Sequence, residues 1–235
     1  MHGSPCVEPS PAVSNRVVHA AERPIVRSIG EADLKSGACD IPVFLRDGGI
    51  LQRAYEVARE AHDGQTRKGD GTPYIGHPVR VARLCRDNGG SDSMIAAALL
   101  HDVIEDAGVS ADEIERRFGA EVRALVVALT EDETIPGYEQ RKTTHRQQVE
   151  AAGVKAATIY MADKLANLRD MRELYASSGE SSADRFKASL DLRFALWVGD
   201  ADMVARVAPG LGLVVDLRAE LDAYRRQRAE SRAAS

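Results

Sequence analysis

An all-α fold is what this chain predicts, and three observations predict it. From Ile50 onward apolar residues recur at helical spacing, beginning with Leu51, Ala54, Tyr55, Ala58 and Ala61. The periodic stretches are separated by helix cap and stop residues, such as Ser91-Asp92 before one and Phe118-Gly119 after another. No convincing strand, internal repeat or GxxxxGK[ST] phosphate loop interrupts the pattern. Cap and stop signals together divide the chain into roughly nine or ten helices in a single domain.

Each element has its own reason. Residues 1–47 read as a poorly ordered leader, broken by Pro5, Pro9, Pro11 and Pro24, with a short helix near Gly30–Lys35 and the brief apolar run Ile41–Leu45. The domain is expected over 48–230. Its first helix stops at Gly64, and a loop runs from Gly64 to His77. Pro78 suits the first turn of a second helix carrying Val81, Ala82, Leu84 and Cys85, which ends at Asn88-Gly89-Gly90. Ser91-Asp92 caps a central apolar helix, and Ser110 with Glu113 forms a capping box for a short one. Glu121–Thr130 is an apolar helix. A charged helix follows over Glu139–Ala152, and a long one from Lys155 to about Tyr175 begins after Gly153. Beyond the polar run Ser177–Ser182, Phe186, Leu190, Phe194, Trp197 and Val198 make a core-facing stripe that Gly199 and Pro209-Gly210 bring to an end. An amphipathic last helix covers Leu213 to about Arg228.

Composition narrows the function. The chain has 235 residues, 44% hydrophobic and 29% charged, as in ordinary globular proteins, with enough length for one sizeable core. Its net charge of −5 argues against a nucleic-acid polymer as partner, whereas a small phosphorylated ligand needs only a local basic cluster. Cys6, Cys39 and Cys85 are odd in number and widely spaced, which points to free thiols in a reducing cytoplasm. No apolar run reaches the length of a membrane span, and no signal-peptide pattern opens the chain.

The chemistry gathers around Ile95–Asp106. This stretch begins apolar on every side, so it belongs inside the domain, and it ends in His101-Asp102 and Glu105-Asp106. On a helix His101 and Asp102 are adjacent, and Glu105 and Asp106 lie one turn further on. Alone, the cluster reads equally well as a metal-centred active site and as a hydrogen-bonded structural pair followed by a solvated helix end. Two other stretches change that balance. His77 stands at the mouth of the second helix, and Asp163 follows the largely apolar run Ala156–Ala162, where a carboxylate needs a partner. A metal held by His77, His101, Asp102 and Asp163 would have two imidazoles and two carboxylates, a set suited to Mn²⁺, Fe²⁺ or similar ions rather than tetrahedral zinc. Arg67-Lys68 and Arg141-Lys142 would ordinarily be solvated surface charge, but both lie in segments able to flank such a site. Asn167 shares a helix face with Asp163, while Arg169 need not.

The blocks His62-Asp-Gly-Gln65-Thr-Arg67-Lys68, Gly71-Thr-Pro-Tyr74-Ile-Gly-His77-Pro78, Ala97-Ala-Leu-Leu-His101-Asp102-Val-Ile-Glu105-Asp106 and Ala162-Asp163-Lys-Leu-Ala-Asn167-Leu-Arg169-Asp170 appear in that order. Together they resemble the hydrolase domain of the RelA/SpoT family of HD-domain metallophosphohydrolases, closest in wording to its free-standing small alarmone hydrolases. The resemblance covers about Leu51 to Trp197. It implies removal of the 3′-pyrophosphate of ppGpp or pppGpp, usually with Mn²⁺. It also implies that His77, His101, Asp102 and Asp163 are the metal ligands and that Glu105 and Asp106 orient or deprotonate the attacking water. Arg67, Lys68 and Tyr74 would cradle base and phosphates, Asn167 would touch the ribose or a phosphate, and Arg141-Lys142 would bind phosphate. The chain departs from the bifunctional members at Gly69-Asp70-Gly71, Ala166 and Asp170, and no room for a synthetase domain follows Trp197. Those departures leave alternatives open: an HD-domain phosphatase acting on the 2′-phosphate of NADP(H) or on a nucleoside monophosphate, or a non-catalytic nucleotide-binding module. Glu105 and Asp106 count against the last, which has no need of them.

Overall fold

In the computed structural model, described here over residues 41–46, 48–67, 70–179, 181 and 188–234, every regular element is helical. After a 3-10 turn at Val43–Leu45 come α1 (Ile50–Ala61), α2 (Gly76–Asp87), α3 (Asp92–Leu100), α4 (Val103–Ala107) and α5 (Ala111–Phe118). They are followed by α6 (Ala120–Leu129), α7 (Tyr138–Ala152), α8 (Val154–Ser178), α9 (Leu190–Val207) and α10 (Gly212–Ala234). These ten helices match the expected all-α fold. Among the described residues the only β pairing is an isolated bridge between Thr66 and Pro73. None of their helices is long and apolar enough to cross a membrane. They all belong to one unit of the chain, Ser36–Ser235; the other, Met1–Lys35, lies outside the described residues, as does the expected helix near Gly30–Lys35.

Two helices set the frame. Every residue of α3 from Met94 to Leu100 is buried, and α3 packs against α1, α2, α6 and α8. The fully buried Ala96, Ala97 and Ala98 let those neighbours approach closely. Its start is capped as expected, with the Ser91 hydroxyl accepting from the Met94 N–H. The second is α8, 25 residues long, which packs against α2, α3, α6, α7, α9 and α10. Gly153, at φ 85°, ends α7 and opens α8 with a backbone turn that a side chain would strain.

Two elements differ from the sequence reading. The central helix does not run unbroken to Asp106: α3 stops at Leu100 and α4 begins at Val103. The cause is local, because the His101 ring donates to the Ala98 carbonyl at 2.8 Å and competes for an acceptor of the helix ladder. The Asp106 N–H still bonds the Asp102 carbonyl at 2.8 Å, so the one-turn offset of that pair is kept. The second is Gly199, which lies inside α9 instead of ending it. A Cβ there would come within 3.1 Å of the Arg146 guanidinium, so the glycine makes room for an arginine packed on the helix.

Ahead of α1, Leu45 is fully buried and the Phe44 ring lies under Arg86, whose guanidinium carbon is 4.4 Å from its centroid. We propose that the domain proper begins near residue 48. A protein starting at Gly48 is then expected to fold and keep its activity, but to melt about 5 °C lower for the loss of Leu45 burial. A thermal melt with an activity assay checks this; an insoluble or inactive product would place the earlier residues within the domain.

Candidate active site

The fold brings four side chains from three separate stretches to one buried point. His77 sits in the first turn of α2, His101 and Asp102 occupy the break between α3 and α4, and Asp163 lies in the third turn of α8. His77 Nε2 is 3.1 Å from Asp163 Oδ1 and 3.9 Å from Asp102 Oδ2. His101 Nε2 is 3.1 Å from Asp102 Oδ2 and 3.8 Å from Asp163 Oδ1. Ligand atoms of His77, His101 and Asp163 all lie within 4.8 Å of one another.

These residues fit a divalent cation. The Ala98 carbonyl can only accept, so the bond to it puts the proton of a neutral His101 on Nδ1 and leaves the Nε2 lone pair facing the carboxylates. In that tautomer Nε2 is buried with no donor turned toward it, an arrangement that calls for a positive charge between the nitrogen and the oxygens. In the metal-free protein a proton answers the same need. Burial alone would lower the His101 pKa, yet the charge and hydrogen bond of Asp102, then Asp163, carry it up to about 9. For Asp102 burial works upward, but His101 and His77 hold the carboxyl below its usual range. Asp163 is likewise held well below, with Lys164 and His77 overcoming burial.

Hydrogen bonds fix the carboxylates from outside. Tyr74 Oη donates to Asp102 Oδ2 at 2.6 Å, so this tyrosine, expected at the base and phosphates, has its hydroxyl engaged with a candidate ligand. Asn167 Nδ2 donates to Asp163 Oδ1 at 2.5 Å, in line with the shared helix face. Arg67 Nη2 donates to Asn167 Oδ1 at 2.9 Å and to Asp170 Oδ2 at 2.6 Å, and the guanidinium lies 5.5 Å from the Tyr74 ring centroid. Asp170 also accepts from Arg80 at 2.7 Å. Lys68 lies outside the described residues. Arg169 pairs instead with Glu220 of α10.

Glu105 and Asp106 stand in α4 beside this centre. Glu105 Oε2 accepts the Glu131 N–H at 3.2 Å, and Gln65 Nε2 donates to the Asp106 carbonyl at 3.2 Å. Burial pushes the Glu105 carboxyl up to about 7; the Glu131 hydrogen bond opposes this, while the charges of Glu131, Asp102 and Asp106 add to it. Asp106 is also raised, by burial and then by Asp102. The basic pair Arg141-Lys142 is brought to the same neighbourhood through Glu131, whose side chain is 8% exposed and pairs with both of them. His145 Nδ1 lies 3.4 Å from that carboxylate.

Sequence reasoning assigned no role to Lys164, Glu131, Gln65 or Arg80. For Lys164 a signal existed, since a lysine inside the apolar stretch from Ala156 to Ala166 needs a buried counter-charge. For the others nothing local distinguishes a site residue from a solvated one.

Comparison with known proteins agrees with this geometry. A family model described as HD domain matches residues 54–188. The mouse protein named guanosine-3′,5′-bis(diphosphate) 3′-pyrophosphohydrolase MESH1 is 44% identical over 127 residues, which cover 52% of this chain and 69% of the mouse protein. The human protein of the same name is 43% identical over 124 residues, with coverage of 52% and 69%. A solved structure described as "A metazoan ortholog of SpoT hydrolyzes ppGpp and plays a role in starvation responses" superposes with a TM-score of 0.59 at 26% identity, covering 80% of this chain and 98% of that one.

Proposed function

Because the chain belongs to the HD-domain family, among its RelA/SpoT-type small alarmone hydrolases, we propose that it removes the 3′-pyrophosphate of (p)ppGpp by metal-dependent hydrolysis. The products would be GDP or GTP and pyrophosphate. One observation carries the reading: His77, His101, Asp102 and Asp163 meet at a buried point with the Glu105-Asp106 carboxylates next to it in sequence and in the fold.

His77, His101, Asp102 and Asp163 would hold the cation, which we take to be Mn²⁺. Bound there, it supplies Lewis acidity to the phosphoryl group and acidifies the attacking water. Glu105 accepts the proton of that water, and its raised pKa suits a base working near neutral pH. Asp106 shares in orienting the water. Oxygen adds to the phosphorus carried on the ribose 3′ oxygen, the bond between that phosphorus and the 3′ oxygen breaks, and the ribose oxygen takes up a proton. Arg67 and Lys68 offset phosphate charge, with Asn167 at the ribose or a phosphate and the Tyr74 ring as the wall supporting Arg67. Arg141 and Lys142 offer phosphate two more cations in exchange for Glu131. The substrate is a small nucleotide, and we place the reaction in the reducing cytoplasm, where the buried free Cys85 stays a thiol.

The test is turnover of ppGpp, NADPH and nucleoside monophosphates after chelation and after return of metal. Pyrophosphate release from ppGpp is expected, lost on chelation and restored better by Mn²⁺ than by Zn²⁺. Orthophosphate release from NADPH or a monophosphate, with ppGpp untouched, would replace the substrate; no turnover at all would leave a binding module. A pH profile adds a second expectation. Turnover should fall as pH drops through the Glu105 midpoint, because the protonated acid cannot accept the water's proton. The cation's own charge sets that midpoint below the metal-free value of about 7. A kcat constant from pH 8 down through the ordinary carboxylate range, about pH 4, would remove Glu105 from this role.

A further inference from the structure

Asp163 is tied to α9 by buried polar groups that the mechanism above does not use. Lys164 Nζ donates to Asp163 Oδ2 at 2.9 Å and sits 4.3 Å from the centroid of the Tyr160 ring. Tyr160 Oη donates to Asp200 Oδ1 at 3.1 Å, and the same oxygen accepts from Arg146 Nε at 2.7 Å. Its centre is interior: Tyr160 is 1% exposed, Asp200 3% and Lys164 9%, with only the Arg146 side chain reaching partway to the surface. Asp200 lies in α9, beyond the residues 54–188 that match the family model.

We propose that Asp200 is a positioning residue for the metal centre, acting on Asp163 through Tyr160 and Lys164. The inference rests on the reading of Asp163 as a metal ligand. Lys164 takes Oδ2 of Asp163, while Oδ1, which also accepts from Asn167, is the oxygen that faces both imidazoles. An ammonium this deeply buried stays charged only where negative groups surround it. The Tyr160 hydroxyl bond to Asp200 fixes the ring face on which the ammonium rests. Two carboxylates, Asp163 and Asp200, therefore balance two cations, Lys164 and Arg146. Neutralising Asp200 leaves one positive charge in surplus, and Lys164 then draws more strongly on Asp163 at the expense of the metal. A plain structural ion pair would end at Arg146 and Asp200; the shared tyrosine extends this one to the ligand.

The experiment is a Mn²⁺ titration of the 235-residue chain, read by the electron paramagnetic resonance of free Mn²⁺ and accompanied by a thermal melt. Asp200→Asn and Tyr160→Phe should each bind Mn²⁺ about tenfold more weakly than the unaltered protein, the lower end of what losing a ligand's supporting partner costs. Asp200→Glu should recover part of the affinity. Wild-type Mn²⁺ affinity in both Asp200→Asn and Tyr160→Phe, whatever their melting temperatures, would overturn the proposal. Should Asp200→Asn fail to fold, Tyr160→Phe, which removes only a hydroxyl, decides alone. Asp163→Ala separates the two levels. If it binds Mn²⁺ as the wild type does, the ligand assignment fails and the inference with it. If it loses the metal while the other two keep theirs, only the inference fails.

Discussion

Replacing Glu105 and Asp106 together by alanine is expected to lower turnover by about 10²–10⁴-fold, the range for losing a positioned proton acceptor. Metal content should stay near that of the unaltered protein, because the double variant leaves His77, His101, Asp102 and Asp163 in place. Binding of ppGpp should persist too, since Arg67 and Asn167 keep their bonds to Asp170 and Asp163. The geometry gives the two residues different weights. Glu105 is held from outside by the Glu131 N–H, and burial raises its carboxyl above the usual range. Asp106 has its backbone carbonyl tied to Gln65, which fixes where α4 ends relative to the first loop. Single variants should therefore differ, with Glu105→Ala the more damaging. Metal analysis beside steady-state kinetics makes the distinction. A double variant that keeps most of its rate would reduce the pair to a helix end, and one that loses its metal would move the pair into the ligand set.

Asp163→Ala should have the other large effect, and on two quantities at once. Activity should fall to background, because the site loses the oxygen facing both imidazoles, and bound Mn²⁺ should fall with it. Stability should fall even without metal, because Lys164 is left buried with its nearest counter-charge gone. Breaking a buried ion pair on one side costs about 3–5 kcal/mol, which for a domain of this size is a drop of roughly 10 °C in Tm. Added Mn²⁺ should raise the Tm of the unaltered protein through mass action and leave that of the variant unchanged. Thermal melts of both proteins, with and without Mn²⁺, check all of this. A metal-free variant melting with the wild type would mean that Lys164 draws its compensation from elsewhere, with Asp200 and Glu131 the candidates.

The sequence by itself determined the fold class and pointed to the candidate metal ligands. Helical periodicity, caps at Ser91 and Ser110 and a fully apolar run before His101 are local properties, and local physics is enough to make helices and bury them. The resemblance of four ordered blocks then joined His77, His101-Asp102 and Asp163 before any distance was known, and the fold brings them within a few ångströms. The interruption between α3 and α4 was beyond such reasoning, because it depends on a ring nitrogen of His101 reaching a backbone carbonyl. So was the continuation of α9 through Gly199, which depends on an arginine from α7 packing against it. Tertiary structure alone decided the partners of the charged residues. Arg141 and Lys142 meet Glu131, Arg67 meets Asp170, and Lys164 links Asp163 to Tyr160, which bonds Asp200. Charge pairing depends on distance in space, and between residues 40 or 103 positions apart, as Tyr160 and Asp200 or Arg67 and Asp170 are, only the packing of the helices sets that distance.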